Sequence, residues 1–536
     1  MEALIPVPVV LPLLAAGLKL AIGRKLIRLQ ALISIGTLGV VLLVSVLLLR
    51  AADREGPLVA HAGGWDAPIG IVLVADRLST LMLAVSSAVT FCVMVYSLAQ
   101  SRADQEHLAP LSIFHPAYLI MVSGVSDAFL SGDLFNLFVA FEMLLSGSYV
   151  LLTFGGTEAR IRAGATYVVM GLASSLLFLV AIAVAYAATG TVSMAQLAER
   201  FAVLPQHIRL LVELTLLLVF VVKAAIFPMS AWLPDSYPTA PAPATALFAG
   251  LLTKVGIYAI IRLEALLFPG GPVSGLLMWA ALLTMLVGVF GAVAQTDIKR
   301  MLSFTLVSHI GYMVFGVALF TVAGMAGAVF YVAHHITVQT SLFLVTGMIE
   351  RRTGTTSLNR LGGLAGPAPA IAVLFFVPAM NLAGIPPMSG FLGKLGLIQA
   401  GVADGRPIAL ILVAGGLLTS LLTLYAVATT WSRAFWGAPP PETTETTEGP
   451  AAAGTEEAGD EGSEARRVGG TGGTSGAAVV TAVAMPAPML AATAALVVLA
   501  LSYTVLAGPL SALAERAAGE LLAREPYVSA VLGGER

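Results

Sequence analysis

The sequence predicts an all-α membrane protein with about fourteen transmembrane helices. Of its 536 residues, 58% are hydrophobic and only 11% are charged, and the mean hydropathy is +0.93. A soluble domain carries about 25% charged residues. Apolar segments of about 20 residues, the length that crosses a bilayer, recur along the chain. We therefore expect a multi-pass protein embedded in a lipid bilayer, with no binding of nucleic acid.

The predicted spanning segments follow one another with short connections. They lie near residues 4–22, 30–49, 78–98, 113–130, 133–154, 164–188, 209–229, 241–263, 273–293, 301–322, 325–349, 370–399, 407–432 and 486–508. The first has no basic stretch before it and no small-residue cleavage site, so we interpret it as a retained helix. Residues 437–480 are rich in Pro, Gly, Thr and Glu and are predicted to form a disordered cytoplasmic loop. The tail, 509–536, is predicted to form one short amphipathic helix.

Basic residues predict the orientation of the chain, because cytoplasmic connections of membrane proteins are enriched in Lys and Arg. The odd-numbered connections carry Arg24, Lys25, Arg28, Arg102, Arg160, Arg162, Lys299, Arg300, Arg351, Arg352, Arg360 and Arg433. The even-numbered connections carry Arg50, Arg54, Arg200, Arg209, Arg262 and Arg406. We therefore expect the odd-numbered connections to lie in the cytoplasm and both termini to lie outside. The membrane is expected to be a bacterial plasma membrane.

Several kinds of chemistry are excluded for this chain by its composition. It has one cysteine, Cys92, whereas internal disulfides and iron–sulfur clusters need several thiolates. It has no strand followed by GxGxxG, no GxxxxGK[ST] loop and no Cys/His spacing typical of a metal site. We predict no cofactor, no metal and no catalytic residue.

Residues 221–262 combine two lysines with a proline-rich break. Lys223 and Lys254 lie in runs apolar enough to cross a bilayer, where a charge costs roughly 2.5–3.5 kcal/mol. The helix is predicted to break at Pro228. The eight residues 226–233, IFPMSAWL, match residues 385–392, IPPMSGFL, as an internal repeat.

The second copy of this repeat lies in segment 370–399, which is too long for one straight span. At 1.5 Å per residue it would run about 45 Å, against a hydrocarbon core of about 30 Å. A break at Pro386 and Pro387 resolves this, and Lys394 follows it. Interrupted helices in both halves of a chain are typical of a transporter's midplane site.

Glu142 is the carboxylate in the fifth segment, and helical spacing places Ser146, Tyr149 and Thr153 on its face. This polar stripe is expected to face the bundle interior, either on an ion path or as a structural hydrogen-bonding seam. Lys223 is the expected counter-ion of Glu142. At about 4 Å and an effective dielectric near 20, such a pair is worth about 4 kcal/mol. Opening and closing the pair would make Lys223 release and hold a proton.

The remaining ionisable residues within apolar runs are candidates for a proton path, each with a simpler alternative. Lys254 and Lys394 are either path residues or lysines that snorkel to the interface. His309, His334 and His335 either relay protons near neutral pH or are ordinary hydrogen-bonded histidines. Because His334 and His335 are adjacent, at most one is expected to face the path. Glu213 lies near the start of its segment and is predicted to be interfacial.

Four stretches carry a family resemblance. Residues 223–262 resemble the signature of the antiporter-like membrane subunits shared by respiratory complex I and the Mrp-type multisubunit cation/proton antiporters. QTDIKRMLSFTLVSHIGYM (295–313) and NLAGIPPMSGFLGKLGLI (381–398) resemble its second-half signatures, and FEMLLSGSYVLL resembles its glutamate helix. The resemblance covers about residues 70–430, and WLPDSYPTAPAP and GIPPMSGFLGK are most similar to the D subunits of the Mrp branch.

The resemblance implies a fold and a set of functional residues. The fold has two inverted five-helix repeats, each with a broken helix, here about 113–263 and 273–432. They follow N-terminal helices (1–112) and precede the loop 437–480 and a last helix with its tail (486–536). The residues implied for proton translocation are Glu142 paired with Lys223, then Lys254, His335 or His334, and Lys394. Gln339 stands where the family often has a lysine, which leaves the link from His335 to Lys394 open. The family also implies partner subunits in a membrane complex.

Three functions are compatible with these residues. The first is a subunit of a secondary antiporter that exchanges protons for a monovalent cation such as Na⁺, which is not an enzyme. The second is a proton-pumping subunit of an NADH–quinone oxidoreductase or a related membrane hydrogenase, with the redox centres in other subunits. The third is a scaffold that has lost transport, which the presence of Glu142, Lys223, Lys254 and Lys394 disfavours. The sequence favours the first.

Overall fold

The helices of the computed structural model begin and end close to the boundaries that hydropathy predicts. The structure describes residues 1–23, 26–103, 111–438 and 485–533, so the predicted loop 437–480 lies almost wholly outside the described residues. Within these ranges, twelve helices are long and apolar enough to cross a membrane. The two other predicted spans, 209–229 and 370–399, contain the interrupted helices. The fold class is therefore confirmed.

Twenty α-helices and one two-stranded antiparallel hairpin make up the described chain. The helices are α1 (Val7–Ile22), α2 (Ile27–Glu55), α3 (Arg77–Ala103), α4 (Leu111–Leu130), α5 (Leu134–Thr153), α6 (Glu158–Thr189), α7 (Met194–Val203), α8 (Gln206–Ala224), α9 (Trp232–Ser236), α10 (Ala242–Leu247), α11 (Thr253–Arg262), α12 (Ser274–Val293), α13 (Ile298–Leu319), α14 (Val322–Thr353), α15 (Pro369–Ala383), α16 (Ser389–Asp404), α17 (Pro407–Trp431), α18 (Ala487–Val505), α19 (Ala507–Ala523) and α20 (Glu525–Leu532). The strands are β1 (Leu58–His61) and β2 (Val72–Ala75), with Leu58 opposite Ala75.

The most buried helices occupy the centre of the bundle. The span formed by α10 and α11 and the span formed by α14 are buried along their most apolar stretches, whereas α2 and α6 expose many apolar side chains. Lipid tails are as apolar as leucine, so outward-facing leucines are expected on the rim of a membrane bundle. Lys254, His334 and His335 lie on these central helices.

The two predicted interrupted helices are broken at the expected prolines. Helix α8 ends at Ala224, and the chain reaches α10 through the short helix α9. Helices α15 and α16 are separated by residues 384–388. The peptide bonds Phe227–Pro228 and Pro386–Pro387 are both cis. A π-helical turn, Phe248–Leu252, joins α10 to α11, which adds a further irregularity to the first break.

A second internal repeat, not noted from the sequence, relates the two halves. The segment Thr189-Gly-Thr-Val-Ser193 pairs with the start of α5, and Thr353-Gly-Thr-Thr-Ser357 pairs in the same way with the start of α13. We call these pairings the first and second latch. In the first, Leu134 N donates to Val192 O (3.0 Å) and Met194 N to Gly132 O (2.9 Å).

The second latch repeats these bonds. Ile298 N donates to Thr356 O (3.0 Å) and Leu358 N to Thr296 O (2.8 Å). The first latch adjoins the β-hairpin, because Gly132 N donates to Val72 O (2.8 Å). The second adjoins the connection before α10, because Arg300 bonds to Asp235 (2.9 Å). Helices of spanning length separate them, so the latches lie at opposite ends of the bundle, as inverted repeats require.

We call these two ends the hairpin end and the opposite end. Even-numbered connections, such as 131–133 and 190–193, meet at the hairpin end, and odd-numbered ones, such as 230–240 and 294–297, meet at the opposite end. This is the alternation expected of consecutive spanning helices. Which end faces the cytoplasm stays a prediction.

The C-terminal tail differs from the prediction of one short helix. It forms α19 and α20, separated at Arg524, which has a positive φ of 61°. Helix α19 lies over the hairpin end, where Arg516 bonds to Asp53 (2.8 Å) and Glu520 bonds to Arg77. Tyr527 of α20 packs against the buried guanidinium of Arg262. Two elements are needed because the tail contacts both the α2–α3 region and the end of α11.

Candidate functional site

Glu142 and Lys223 are joined through a serine hydroxyl rather than by a direct ion pair. The Ser175 hydroxyl of α6 donates to Glu142 Oε1, and Lys223 Nζ lies 3.4 Å from Ser175 Oγ. Lys223 Nζ also lies 4.7 Å from the centre of the Phe141 ring. The structure thus brings the predicted pair together, with one hydroxyl group between the charges.

The position of Lys223 follows from the end of α8. It occupies the last turn, where the unpaired carbonyls of a helix favour a cation, and Ala225 turns the chain away with a φ of 56°. A cavity of about 30 Å³ adjoins Lys223 and is lined by Tyr167 and Ser174 among others. A cavity needs about 10–15 Å³ of space open to a water-sized probe to hold one water. The lysine therefore has room beside it for water.

Lys254 is fully buried near the start of α11. Its Nζ donates to Ala249 O (2.6 Å), a carbonyl of the π-helical turn. It forms no ion pair with a carboxylate in the described part of the chain. A fully buried amine without access to the interface does not fit a snorkelling lysine.

The three histidines form one buried group with aromatic side chains. His309 Nδ1 bonds to Tyr331 OH (2.7 Å), and the rings of His309 and His335 are 5.1 Å apart. His334 Nδ1 bonds to Ser389 Oγ (3.0 Å), at the start of α16. Neither ring nitrogen of His335 has a hydrogen-bond partner among the described residues. His335 points toward His309, and His334 points toward the second break, so the pair diverges as predicted.

Lys394 is held by the end of the helix before the second break. Its Nζ donates to Leu382 O and Ala383 O (3.0 Å each) and to Ser420 Oγ (3.1 Å). The two carbonyls are in the last turn of α15, where partial negative charge accumulates. The break thus creates the binding site for the lysine, because an unbroken helix would use these carbonyls itself.

These residues form two groups with a gap between them. Lys254 interacts electrostatically with His335, and Lys394 with His309 and His334. Lys223 belongs to the other group, with Ser175 and Glu142. No hydrogen bond among those described links Lys223 to Lys254. Gln339 bonds to Leu302 O (2.8 Å) and makes no hydrogen bond to a histidine in the described structure.

One expectation about the polar residues was wrong. The stripe that includes Glu142 does not face the interior along its whole length, because Ser146 is exposed. Glu213 is fully buried within the chain, where the end of α11 and the following turn cover that part of α8, and neither of its carboxylate oxygens has a partner in the described ranges. Its interfacial depth in the membrane stays a prediction.

Sequence reasoning missed several polar groups. Ser175 joins Glu142 to Lys223, and Ser389 bonds to His334, but a serine in an apolar run carries no cost that marks it. Lys19 of α1 is fully buried and donates to Ser34, which lies 3.3 Å from His115 Nδ1. Lys19 carries the same signal as Lys223, a lysine inside an apolar run. Within the described residues, no three His, Cys, Asp or Glu side chains converge as a metal site.

Comparison with known proteins identifies the family. Residues 131–423 match the family described as NADH:quinone oxidoreductase/Mrp antiporter, TM. This is more than half of the chain. The chain belongs to this family. The matched region contains both latches and every predicted proton-path residue.

Relatives and solved structures agree with this assignment. The D subunit of the Na(+)/H(+) antiporter of Alkalihalophilus pseudofirmus is 42% identical over 440 residues, covering 82% of this chain and 88% of the relative. A chain of the Mrp complex from Dietzia sp. DQ12-45-1b matches with a TM-score of 0.85 and 32% identity, covering 99% and 100% of the two chains. A chain of respiratory complex I from Thermus thermophilus matches with a TM-score of 0.75 and 25% identity, covering 97% and 99%.

Proposed function

We propose that this chain is the proton-translocating membrane subunit of a multisubunit Na⁺(monovalent cation)/H⁺ antiporter. One observation carries the proposal. Buried cations and histidines occupy both inverted repeats, and each lysine beside a break is held by neutral groups rather than by a strong ion pair. A lysine held in this way can lose its proton at lower cost than one locked against a carboxylate.

The relatives support the choice of driving ion and of partners. Two of those described above are the D subunit of a Na(+)/H(+) antiporter and a chain of an Mrp complex. The chain accordingly works with other subunits of a membrane complex and exchanges protons for Na⁺ or a similar cation. We place it in the plasma membrane, with the opposite end of the bundle cytoplasmic and both termini outside.

The gate of the mechanism is the group Glu142–Ser175–Lys223. When the Ser175 hydroxyl bridges the two charges, the carboxylate stabilises the protonated lysine. When Ser175 rotates away, the lysine loses this support and passes its proton to water in the adjoining cavity. Coulomb energy between charges depends steeply on their separation at low dielectric, so a movement of a few ångströms is sufficient.

The relay continues through the central helices. A proton crosses the gap to Lys254 over water, passes to His335 and His309, and reaches Lys394 at the second break. The Tyr331 hydroxyl, bonded to His309, orients that ring. The half-helix end of α15 then holds the charge on Lys394 through two carbonyls. The second cation crosses elsewhere in the complex or at a separate site.

A redox-driven proton pump is the second candidate, because a chain of respiratory complex I shares the fold at 25% identity. In that case the chain would perform the same relay, driven by electron transfer in other subunits. The two candidates differ in what starts proton movement, namely a cation gradient or an electron donor.

The test uses everted vesicles from cells that express the whole gene cluster. A pH-sensitive dye reports proton movement on adding NaCl, then KCl, for the wild type, Glu142→Gln and Lys223→Met. Glu158→Gln is the matched control, because Glu158 forms only an exposed pair with Arg162. Assembly is checked by the amount of purified complex.

Cation-dependent proton flux that both gate substitutions abolish, with assembly intact and the control active, supports the antiporter. Proton movement that appears only with NADH, regardless of Na⁺ or K⁺, supports the redox-driven pump instead. Full exchange in Glu142→Gln and Lys223→Met contradicts the proposed gate.

A further inference from the structure

The two latches differ at one carboxylate oxygen. In the second latch, Asp297 uses both oxygens, because Oδ1 accepts from Arg300 N (3.0 Å) and Oδ2 accepts from the Thr356 hydroxyl (2.5 Å). Asp297 is thus fully bonded within the latch. A buried carboxylate normally needs this saturation, because an unpaired polar atom away from water is costly.

The first latch lacks the second of these bonds. Asp133 Oδ1 accepts from Asn136 N (2.6 Å), as expected for a residue that caps α5. Its Oδ2 has no hydrogen-bond partner among the described residues, although Asp133 is only 6% exposed. The reason is that Val192 stands where the second latch has Thr356. Val192 has nearly the shape of threonine but no hydroxyl group.

Two residues with oxygen-bearing side chains neighbour Asp133. Ser193, which pairs with Asp133 across the latch and is 3% exposed, also has a side-chain oxygen without a described partner. Asp127, at the end of α4 and 5% exposed, interacts electrostatically with Asp133. Asn136 Nδ2 donates to Asp127 Oδ1 (2.9 Å) and to Ser131 Oγ (2.8 Å), which holds the group in place.

The first latch also lacks a compensating positive charge. Arg300 in the second repeat matches Asn136 in the first, because each donates its backbone N–H to the capping aspartate. Likewise, Gly291 precedes Asp297 by the same spacing as Asp127 precedes Asp133. In the described ranges, neither Asp127 nor Asp133 takes part in an ion pair. The first repeat therefore holds two buried carboxylates where the second holds one half-buried carboxylate.

Two buried carboxylates without a cation are unstable, because removing a charge from water is costly unless it is paired. Carboxylate and hydroxyl oxygens suit hard cations. Ca²⁺ takes 6–8 oxygen ligands and Mg²⁺ demands a near-ideal octahedron. This small group, with one of its four Asp oxygens engaged by the helix cap and another by Asn136, fits a singly charged ion better.

We infer that Asp127, Asp133 and Ser193 form a binding site for a small monovalent cation of the Na⁺ class at the hairpin end of the first repeat. The inference builds on the proposed antiporter function, since it supplies a place for the second ion. The second repeat lacks this site, because the Thr356 hydroxyl occupies the corresponding oxygen of Asp297 and Gly291 stands where the first repeat has Asp127.

The decisive variant is Val192→Thr, which gives the first latch the hydroxyl group that the second already has. The purified complex is titrated with NaCl against choline chloride at constant ionic strength, and its thermal midpoint is recorded. A ligand that binds only the folded state raises the midpoint. Because the new hydroxyl competes for Asp133 Oδ2, we expect Val192→Thr to need about tenfold more NaCl for the same shift.

Three further variants separate binding from folding. Asp133→Asn keeps a good helix cap but removes the charge, so its sodium-dependent shift is expected to disappear. Thr356→Val is the matched control, because it removes the equivalent hydroxyl from the second latch and should leave the sodium-dependent shift unchanged. Val192→Ala checks packing, since it shortens the side chain without adding a donor, and it should keep the wild-type sodium dependence.

Two outcomes overturn the inference. One is a wild-type complex that NaCl does not stabilise beyond choline chloride. The other is a sodium-dependent shift that is unchanged in both Val192→Thr and Asp133→Asn. Failure of the proposed antiporter function is detected separately, by full cation-dependent proton exchange in Lys223→Met. If Lys223→Met loses exchange but keeps the sodium-dependent shift in thermal midpoint, both the antiporter function and the cation site are supported.

Discussion

Replacing Ser175 with alanine tests whether one hydroxyl group couples Glu142 to Lys223. Ser175→Ala removes the donor to Glu142 and the acceptor nearest Lys223 Nζ, while the ring of Phe141 still lies 4.7 Å from the lysine nitrogen. Hydrogen bonds to charged groups contribute about 1.5–3 kcal/mol each. If the bridge is present in only one of the two gate states, its loss changes the free-energy difference between those states by the energy of about one such hydrogen bond.

The expected consequence is a decrease in the rate of cation-dependent proton exchange by a factor of about ten, since 1.4 kcal/mol is tenfold. The assay is dye-reported exchange in everted vesicles, normalised to the amount of assembled complex. Ser86→Ala is the matched control, because Ser86 is a buried serine of α3 whose hydroxyl donates to Leu83 O of its own helix (3.0 Å). Ser175→Thr retains the hydroxyl and should recover most of the exchange. Equal rates for Ser175→Ala, Ser86→Ala and the wild type would refute the bridge.

Two other substitutions test the second break and the hairpin end. Lys394→Met leaves Leu382 O without its lysine donor, so we expect exchange to be lost and stability to fall by roughly 1–3 kcal/mol, measured by thermal unfolding. Lys299→Met, at the opposite end, is the control that should keep exchange. Normal exchange in Lys394→Met would show that this lysine is not on the proton path. Arg262→Met leaves Asp76 buried without its 2.5 Å partner, so we expect a loss of about 3–5 kcal/mol or failure to assemble. The exposed Arg162→Met should show no measurable change in the same assay, and equal thermal midpoints for both variants would contradict this assignment of the ion pair.

Hydropathy and proline placement were sufficient to predict most of the fold. The spanning segments carry enough apolar residues to be recognised one at a time, and the breaks at Pro228 and Pro387 were evident from excess length and from the repeated octapeptide. The hairpin β1–β2 and the short helix α7 were not predicted. Their sequences are brief and only moderately apolar, and they are ordered by contacts with distant parts of the chain, such as Gly132 with Val72.

The charged residues of the site were predictable because a charge in an apolar run is costly and therefore conspicuous. The hydrogen bonds that connect these residues were not predictable. The Ser175 hydroxyl lies between Glu142 and Lys223, and Tyr331 and Ser389 each bond to a histidine. A hydroxyl in a membrane helix bonds readily to its own backbone, however, and leaves no mark in the sequence. The direct pair expected between Glu142 and Lys223 differs from the bridged arrangement for this reason. The functional roles of Lys254, His335 and Lys394 stay predictions until exchange is measured.

The two latches also have a consequence for how this molecule moves. Each ties the beginning of one helix to the end of another by paired backbone bonds, once at each end of the bundle. Transporters that alternate access by rocking must open one end while the other closes. Each latch lies within one repeat, the first in 113–263 and the second in 273–432, so it braces that repeat without tying it to the other. Rocking of one repeat against the other would therefore leave both latches intact, and each repeat would move as a braced unit.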